Sequence, residues 1–239
     1  MTISTKILTA AFSIGVLLSS CNSVDCVSGS GNQISEDRNV GSFTRIETSG
    51  SIKVILKQGD VNSVKVTADD NIIKDIETYV RGNRLMIDLD LDFCDASPIT
   101  VYVTSPYYQG VEASGAVELL SDGKLNVTDF ELDLSGSSRV VLDMNAANFK
   151  TTSSGESEIS LTGQAGSHEL ELSGSSSVNA LDFVVGRYKI ESTGSSDTHI
   201  NVLNELHISS SGSSDIEYRG NPSKITNDES GASSLKKIN

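Results

Sequence analysis

Apolar and polar residues alternate along much of the chain with a period of two, the pattern of a β-strand whose successive side chains face opposite sides. In the second half, one short phrase interrupts the alternation at regular intervals: Ser or Thr, then Gly, then a small or polar residue. Successive glycines are 21, 19, 19, 20, 18 and 19 residues apart, which is typical of a protein built from stacked repeats. These glycines are Gly115, Gly136, Gly155, Gly174, Gly194, Gly212 and Gly231.

Aligning the repeats on this glycine places apolar residues in common columns. The fourth residue before the glycine and the fourth after it are mostly aliphatic, and the sixth before it is mostly aromatic. Because one repeat cannot bury its own apolar face, we expect the repeats to stack about 4.8 Å apart around a shared core. His168 stands in the aromatic column and is expected to be partly buried. The expected core includes Leu132, Val140, Ile159, Leu170, Val178, Phe130 and Phe149.

These columns predict an all-β, single-domain fold: a right-handed parallel β-helix with coils of about 19 residues. Glycine suits the corner between strands because it tolerates positive φ and leaves room where neighbouring repeats approach closely. Residues 111–239 form the regular repeats, and residues 33–110 form a wider strand region that caps the stack as part of the same domain. In this cap, Arg81-Gly82-Asn83 predicts a hairpin turn, and Ser49-Gly50-Ser51 is an isolated earlier copy of the phrase.

Residues 1–20 have the pattern of a bacterial signal peptide, with a positive start, an apolar run of about twelve residues, and Leu18-Ser19-Ser20 before Cys21. This ending resembles the lipobox of lipoproteins, in which the cysteine is acylated; an ordinary secretory signal cleaved elsewhere is the alternative. The run is too short to span a bilayer, which needs about 20 residues. We therefore expect a lipid anchor on Cys21 at the outer membrane or cell surface, with residues 21–32 as a polar tether.

Cys26 and Cys94 are the two remaining cysteines. In an oxidising envelope, such a pair predicts a disulfide bond that ties the tether to the end of the first strand region. Two free thiols are the alternative. A metal site is not expected here, because two isolated cysteines lack histidines at ligand spacing.

The chain is acidic, with 32 Asp and Glu residues against 18 Lys and Arg residues and a formal net charge of −14. This charge disfavours nucleic acid as a partner and favours a solvated surface with weak cation binding. The sequence has no phosphate-binding loop, dinucleotide fingerprint or paired-cysteine redox motif, so no cofactor is expected. Its serines recur at equivalent corners, whereas a catalytic serine should be singular. We therefore expect a protein without enzymatic activity.

Two sets of acidic residues share a register across repeats. The acidic residues three positions before the glycine are expected to form a ladder that faces water. This ladder either binds a cation or ligand weakly or is only solvated. Asp197 and Asp215 each lie three residues after a glycine, where a stacked pair could act as a glycosidase pair, hold calcium, or again be only solvated. No dedicated metal site is expected, since the three histidines stand in different registers. The ladder consists of Glu112, Asp133, Glu171 and Glu191.

The chain has no tryptophan, and its one tyrosine cluster is Tyr102, Tyr107 and Tyr108, around Pro106. Carbohydrate binding usually requires exposed aromatic rings, which offer a flat apolar face and a polar edge. Tyr102 alternates with apolar neighbours and is expected to face water. The cluster is therefore a candidate contact for a small sugar or a peptide.

Several short motifs occur in order along the chain: Phe43-Thr44-Arg45-Ile46, Ser49-Gly50, Ile52-Lys53-Val54, Leu85-Met86-Ile87, Val103-Thr104-Ser105-Pro106 and the serial Ser-Gly-Ser phrases. This ordered set resembles the head GIN domain family, the autotransporter adhesin heads that are common in lipoproteins of the Bacteroidetes. The resemblance extends from about Val40 to the C-terminus and implies a β-helical fold at the outer membrane or cell surface. It implies no catalytic residue.

The sequence therefore favours a non-enzymatic envelope lipoprotein, an adhesin or scaffolding module that binds a glycan or an envelope protein through one face. A carbohydrate-active enzyme, either a polysaccharide lyase or a hydrolase on the same scaffold, is the alternative. A purely structural envelope component is a third hypothesis. A monomer is expected, because Lys224, Lys236 and Lys237 place charges on the last strand edge.

Overall fold

The computed structural model describes residues 26–89 and 93–239; the predicted signal peptide, Cys21 and the first part of the tether lie outside the described residues. Apart from a short 3-10 turn at Ile73–Asp75, the regular elements in the described ranges are β-strands, so the protein is all-β, and it forms a single domain. Those ranges contain no helix long and apolar enough to cross a membrane. The strands are β1 (Val27–Ser28), β2 (Gln33–Arg38), β3 (Arg45–Gln58), β4 (Ser63–Asp69), β5 (Ile76–Arg81), β6 (Arg84–Leu89), β7 (Phe93–Cys94), β8 (Thr100–Ser105), β9 (Gly110–Ser121), β10 (Leu125–Ser192), β11 (Ser195–Arg219), β12 (Lys224–Gly231) and β13 (Ser234–Lys237).

One large sheet contains most of these strands, in the order β12, β11, β10, β9, β3, β8, β4, β2. The pairs from β12 to β8 are parallel, whereas β4 pairs antiparallel with both β8 and β2. β13 also pairs with β11, and the hairpin formed by β5 and β6 joins the sheet through β3. β1 and β7 form a separate two-stranded sheet.

The repeats lie side by side in parallel register, with corner glycine opposite corner glycine. Gly115 pairs with Gly136 on one side and with Gly50 on the other, so the isolated phrase at Gly50 is in register with the later series. At Gly174, φ is +116°, and a Cβ atom would lie 2.5 Å from the carbonyl oxygen of Gly155. Any other side chain would need a rare backbone conformation and would collide with the neighbouring repeat, which explains the glycine column.

The predicted inward columns are buried and form one continuous core. Val140 and Ile159 have no exposed surface, and Val178 is 1% exposed. Because the equivalent positions of neighbouring repeats pack on one another, each repeat supplies only one layer of this core. The burial predicted from the sequence alignment is confirmed at these positions.

His168 is fully buried, so the prediction of partial burial is wrong. Its ring stacks on Phe149 with the centroids 4.4 Å apart, and its Nε2 atom lies 3.0 Å from Thr151 Oγ1. Burial lowers the pKa of His168 to about 3, because a charged imidazole would lose its hydration there. The neutral ring therefore acts as one more aromatic layer of the column.

Hydroxyl groups fill the interior beside the corner glycines. The inward position two residues after the glycine is a serine in most repeats, and the position two residues before it is a serine in three of them, Ser153, Ser192 and Ser210. Ser192 Oγ lies 2.9 Å from Ser196 Oγ in its own corner and 2.8 Å from Ser214 Oγ in the next repeat. Ser153 makes the same two kinds of contact. These hydrogen bonds satisfy buried hydroxyls where the corner is too narrow for larger side chains.

The N-terminal region closes one end of the sheet with antiparallel strands. The alternation in the sequence predicted strands here but not their direction, which reverses at β4 and again at β2. The hairpin turn predicted at Gly82 is confirmed, since β5 and β6 pair on either side of it. A disulfide bond joins Cys26 to Cys94, so the start of the described chain is tied to this end.

The last repeat carries polar side chains in columns that are apolar or hydroxylic elsewhere. Asn227 occupies the column of Ile208, and Lys237 occupies the column of Tyr218. Glu229 stands in the column of the buried serines Ser210 and Ser192 of the two preceding repeats. All three polar side chains are exposed, because β12 and β13 lie at the edge of the sheet.

Candidate functional site

A groove of about 790 Å³ runs across the strands from β3 to β12, and we call it the charged groove. It is lined by two outward columns, five and seven residues before the corner glycine, and by the aromatic column between them. Equivalent positions on neighbouring strands are about 4.8 Å apart, so each column presents its side chains at regular steps. The charged residues of the groove are Arg45, Asp129, Glu131, Lys150, Glu169, Arg187, Lys189, Glu205 and Lys224.

A hydrogen-bonded ladder forms part of one wall of the charged groove. Ser167 Oγ donates to Asn148 Oδ1 at 2.8 Å, and Asn148 Nδ2 donates to Asp129 Oδ1 at 2.8 Å. Each member lies 19 residues from the next, so the ladder crosses three neighbouring repeats, all of them within β10. These bonds fix the orientation of the amide of Asn148 and leave a rigid polar edge.

Several cations of the groove are already paired with acids. Lys189 Nζ lies 2.6 Å from Glu169 Oε1 and 2.9 Å from Glu191 Oε1. The hydrogen bond between Lys189 and Glu169 raises the pKa of the lysine and lowers that of the glutamate. Arg45 Nη1 makes a similar contact with Glu131 Oε2, at 2.9 Å. These pairs hold their side chains in place and leave little net charge for a partner.

Three further charged residues stand beside one another on neighbouring strands without an ion pair. Arg187 is in register with Glu205, and Glu205 is in register with Lys224. All three are exposed, and among the described residues none has an opposite charge within 4.0 Å. The sequence prediction missed them because it did not align the column seven residues before the glycine, where their charges alternate in sign. Together with Asp129, which accepts a hydrogen bond from Asn148, they are the charged groove residues in the described ranges that lack an ion pair.

Three of the four acids of the predicted ladder are paired with nearby cations. Glu112 lies 2.5 Å from Arg84, and Glu171 lies 2.8 Å from Lys150. Asp133 differs, because partial burial and the nearby charge of Glu131 raise its pKa. No group of three or more His, Cys, Asp or Glu side chains in the described parts of the chain is arranged to hold a metal ion. The column is therefore an ion-paired face rather than a row of free carboxylates.

Asp197 and Asp215 have different partners. Asp197 Oδ1 lies 3.6 Å from His199 Nδ1, whereas Asp215 Oδ1 accepts a hydrogen bond from Ser234 Oγ at 2.6 Å. The same histidine approaches Glu217, with 3.4 Å between Nε2 and Oε2. Both aspartates are exposed, so the structure places them in solvated polar contacts.

The three tyrosines of the predicted cluster do not form one surface. Tyr102 is 44% exposed and Tyr107 is 72% exposed, but Tyr108 is 3% exposed. The hydroxyl of Tyr108 lies 2.7 Å from the carbonyl oxygen of Val103 and 3.0 Å from that of Lys57. Tyr108 is thus a core residue with a satisfied hydroxyl, and the prediction that it contacts a ligand is wrong.

Solved structures with the same fold come from Bacteroides and Parabacteroides species. One is described as the crystal structure of a "putative adhesin" from Bacteroides fragilis; it is 20% identical, has a TM-score of 0.85, and covers 89% of this chain and 100% of its own. A second "putative adhesin", from Parabacteroides distasonis, is 19% identical with a TM-score of 0.63, covering 90% and 100%. A third, a "Putative lipid binding protein" from Parabacteroides distasonis, is 18% identical with a TM-score of 0.61, covering 89% and 99%.

At these identities the structural likeness shows the fold alone. No curated protein matches the chain significantly. A family model described as "Putative auto-transporter adhesin, head GIN domain" matches residues 42–222, which is most of the chain. This match confirms the resemblance carried by the ordered sequence motifs and points to an exported or cell-surface protein. The chain therefore belongs to the family of auto-transporter adhesin head GIN domains.

Proposed function

We propose that this protein is the non-enzymatic, adhesive part of a cell-envelope lipoprotein and that it binds an extended glycan or protein segment along the charged groove. The observation that carries the proposal is the exposed row of Arg187, Glu205 and Lys224, whose charges alternate and lack ion-pair partners among the described residues. Exposed charges at regular steps favour a partner with complementary groups at similar spacing. The adhesin descriptions of the family and of two similar structures agree with this function.

A stiff scaffold suits this role, and we infer that the chain winds as a right-handed parallel β-helix capped by residues 33–110, with regular coils over residues 111–239. The inference is supported by the parallel pairing of residues one repeat apart and by the stacked corner glycines. Right-handed connections between parallel strands are strongly preferred. Such a scaffold fixes the groove columns relative to one another, so little conformational entropy is lost when an extended partner binds.

The groove is tested by reversing its unpaired cations. The Arg187→Glu/Lys224→Glu variant should lose at least about tenfold in affinity for whichever ligand of a glycan and envelope-protein array binds the purified full-length protein. The matched control is Lys74→Glu/Lys237→Glu, which makes the same change in net charge on exposed lysines outside the groove and should bind within about twofold of wild type. Equal binding by the two variants, or no binding to the array by wild type, would contradict the proposal.

We further propose that the protein is held at the outer membrane or cell surface as a monomer by a lipid on Cys21. The support is the signal-like pattern of residues 1–20 and the cysteine that follows it. A Cys21→Ala variant should leave the membrane fraction and appear in the soluble exported fraction, as measured by fractionation and by labelling with a radioactive fatty acid. Cys26→Ala is the control and should keep the lipid. Lipid incorporation that persists in Cys21→Ala would contradict the anchor.

The arrangement of acids favours binding over catalysis. A glycosidase needs two carboxyl groups facing one bond of the substrate. Asp197 instead contacts His199, and Asp215 contacts Ser234, with both aspartates open to solvent. A carbohydrate-active enzyme is therefore only the second candidate function, after the binding module.

A further inference from the structure

An apolar stripe crosses the outer face of the sheet. In the repeats it occupies the fifth residue after the corner glycine, ten residues after the groove column that lies five residues before that glycine. It consists of Tyr102, Ile55, Leu120 and Val141, which lie opposite one another on neighbouring strands β8, β3, β9 and β10. Tyr102 is 44% exposed and Val141 is 39% exposed, while Ile55 and Leu120 are partly exposed. The stripe spans three strand spacings, roughly 14 Å. Four apolar side chains in a row on the outward face make a surface that water solvates poorly.

Ion pairs border this stripe on both sides. The bordering residues lie two positions before and after Ile55, Leu120 and Val141, about 7 Å away along the strand, whereas Tyr102 is flanked by Thr100 and Thr104. On one side Lys53 pairs with Glu118 at 3.2 Å, and on the other Lys57 pairs with Asp122 at 2.9 Å. The pairs Arg139 with Glu158 and Lys124 with Asp143 continue these two borders. These four pairs contain equal numbers of acids and bases, so the borders carry no net charge although the whole chain carries −14.

The size and border of the stripe decide what can bind to it. A membrane would cover the bordering ion pairs and remove their hydration, at a cost that four partly exposed side chains cannot offset. A stable complex with a second copy buries about 1,200 Å² or more, which exceeds a stripe one residue wide. A charged polymer gains nothing from a neutral face. A neutral polysaccharide fits all three constraints, because its sugar rings offer apolar faces to the stripe and its hydroxyl groups can bond to the charged borders.

We propose that the apolar stripe is a second binding site, distinct from the charged groove, and that its ligand is a neutral glycan chain lying across the strands. The ring of Tyr102 stacks against the apolar face of one sugar, and Ile55, Leu120 and Val141 support the sugars that follow. The bordering carboxylates accept hydrogen bonds from sugar hydroxyls, and the ammonium groups donate to them. This division, with apolar contacts along the centre and a few oriented polar groups at the edges, is that of small-molecule sites in general.

The test is titration of the purified full-length protein with neutral hexasaccharides, cellohexaose and mannohexaose, followed by saturation-transfer NMR and tyrosine fluorescence. We expect saturable binding of at least one of them, a loss of about tenfold or more in Tyr102→Ala, and retained binding in Tyr102→Phe. Tyr107→Ala is the matched control, since Tyr107 is the other exposed tyrosine of this region but lies outside the stripe. The groove variant Arg187→Glu/Lys224→Glu should bind the hexasaccharides like wild type, which separates this site from the proposed adhesive groove.

Three results would overturn the site. The first is the absence of binding by both hexasaccharides, and the second is equal binding by Tyr102→Ala and Tyr107→Ala. The third is self-association in sedimentation experiments that Tyr102→Ala abolishes, which would make the stripe an interface between copies. Val141→Lys provides a second variant in case Tyr102→Ala folds poorly, and it should also weaken hexasaccharide binding, because it places a charge on the stripe.

Discussion

The Gly174→Ala variant should unfold at a free energy about 4 kcal/mol lower than wild type, a large part of the roughly 5 to 15 kcal/mol typical of a natural domain. Alanine at a φ of +116° costs about 1 to 2 kcal/mol, and forcing its Cβ against the backbone of Gly155 costs about 1 to 3 kcal/mol more. Urea denaturation followed by circular dichroism measures the difference.

The control for this prediction is Gly41→Ala. A Cβ atom at Gly41 would have no atom of another segment within 4 Å, and the residue does not have positive φ, so its replacement should change the unfolding free energy by less than about 1 kcal/mol. If the two variants unfold at the same urea concentration, close packing between the corners of neighbouring repeats does not restrict position 174 to glycine. The inferred coil arrangement would then lose its main support.

His168 should make the protein sensitive to acid. Its folded pKa of about 3 lies below the ordinary value of 6.5, so between these values the unfolded chain binds more protons than the folded one. Stability therefore falls as the pH falls through this window, and at pH 4.5 the histidine accounts for a loss of about 3 kcal/mol. In His168→Phe, which keeps an aromatic ring in the column, this part of the loss should disappear.

The measurement is the free energy of unfolding of both proteins at pH 7.5 and pH 4.5. At pH 7.5, His168→Phe should be about 1 kcal/mol less stable than wild type, because Thr151 Oγ1 loses its partner, whereas at pH 4.5 it should be the more stable protein. Phe130→Leu changes the same column without removing a titrating group and should keep the wild-type dependence on pH. Parallel pH curves for wild type and His168→Phe would show that His168 does not cause the acid sensitivity.

The repeat and its core were predictable because both depend on local rules. Glycine is confined to the corner by backbone geometry, and alternation assigns Val140 and Ile159 to the interior whatever their neighbours are. The phrase around Gly50 shared this geometry, and the structure pairs it with Gly115 although 65 residues separate them. A sequence period therefore carries long-range information when each repeat is equivalent to the next.

The charged groove was less predictable because ion pairing depends on contacts between columns. Glu171 looked like a free carboxylate of an acidic ladder, yet its partner Lys150 lies in another column of the preceding repeat. The position of His168 in the aromatic column predicted partial burial, but the full burial of its ring depends on the packing of neighbouring repeats. The hydroxyl of Tyr108 finds buried carbonyl groups that only the folded chain brings together.

The polar side chains of the last repeat set a limit on growth. A parallel sheet edge ordinarily templates the addition of further chains, which is the route to amyloid-like fibres. Adding another layer here would enclose the amide of Asn227, the carboxylate of Glu229 and the ammonium group of Lys237, and each enclosed charge without a partner costs several kcal/mol. Polar side chains at inward positions thus disfavour a further stacked layer, which is one way for a fold made of repeated parallel strands to resist open-ended assembly.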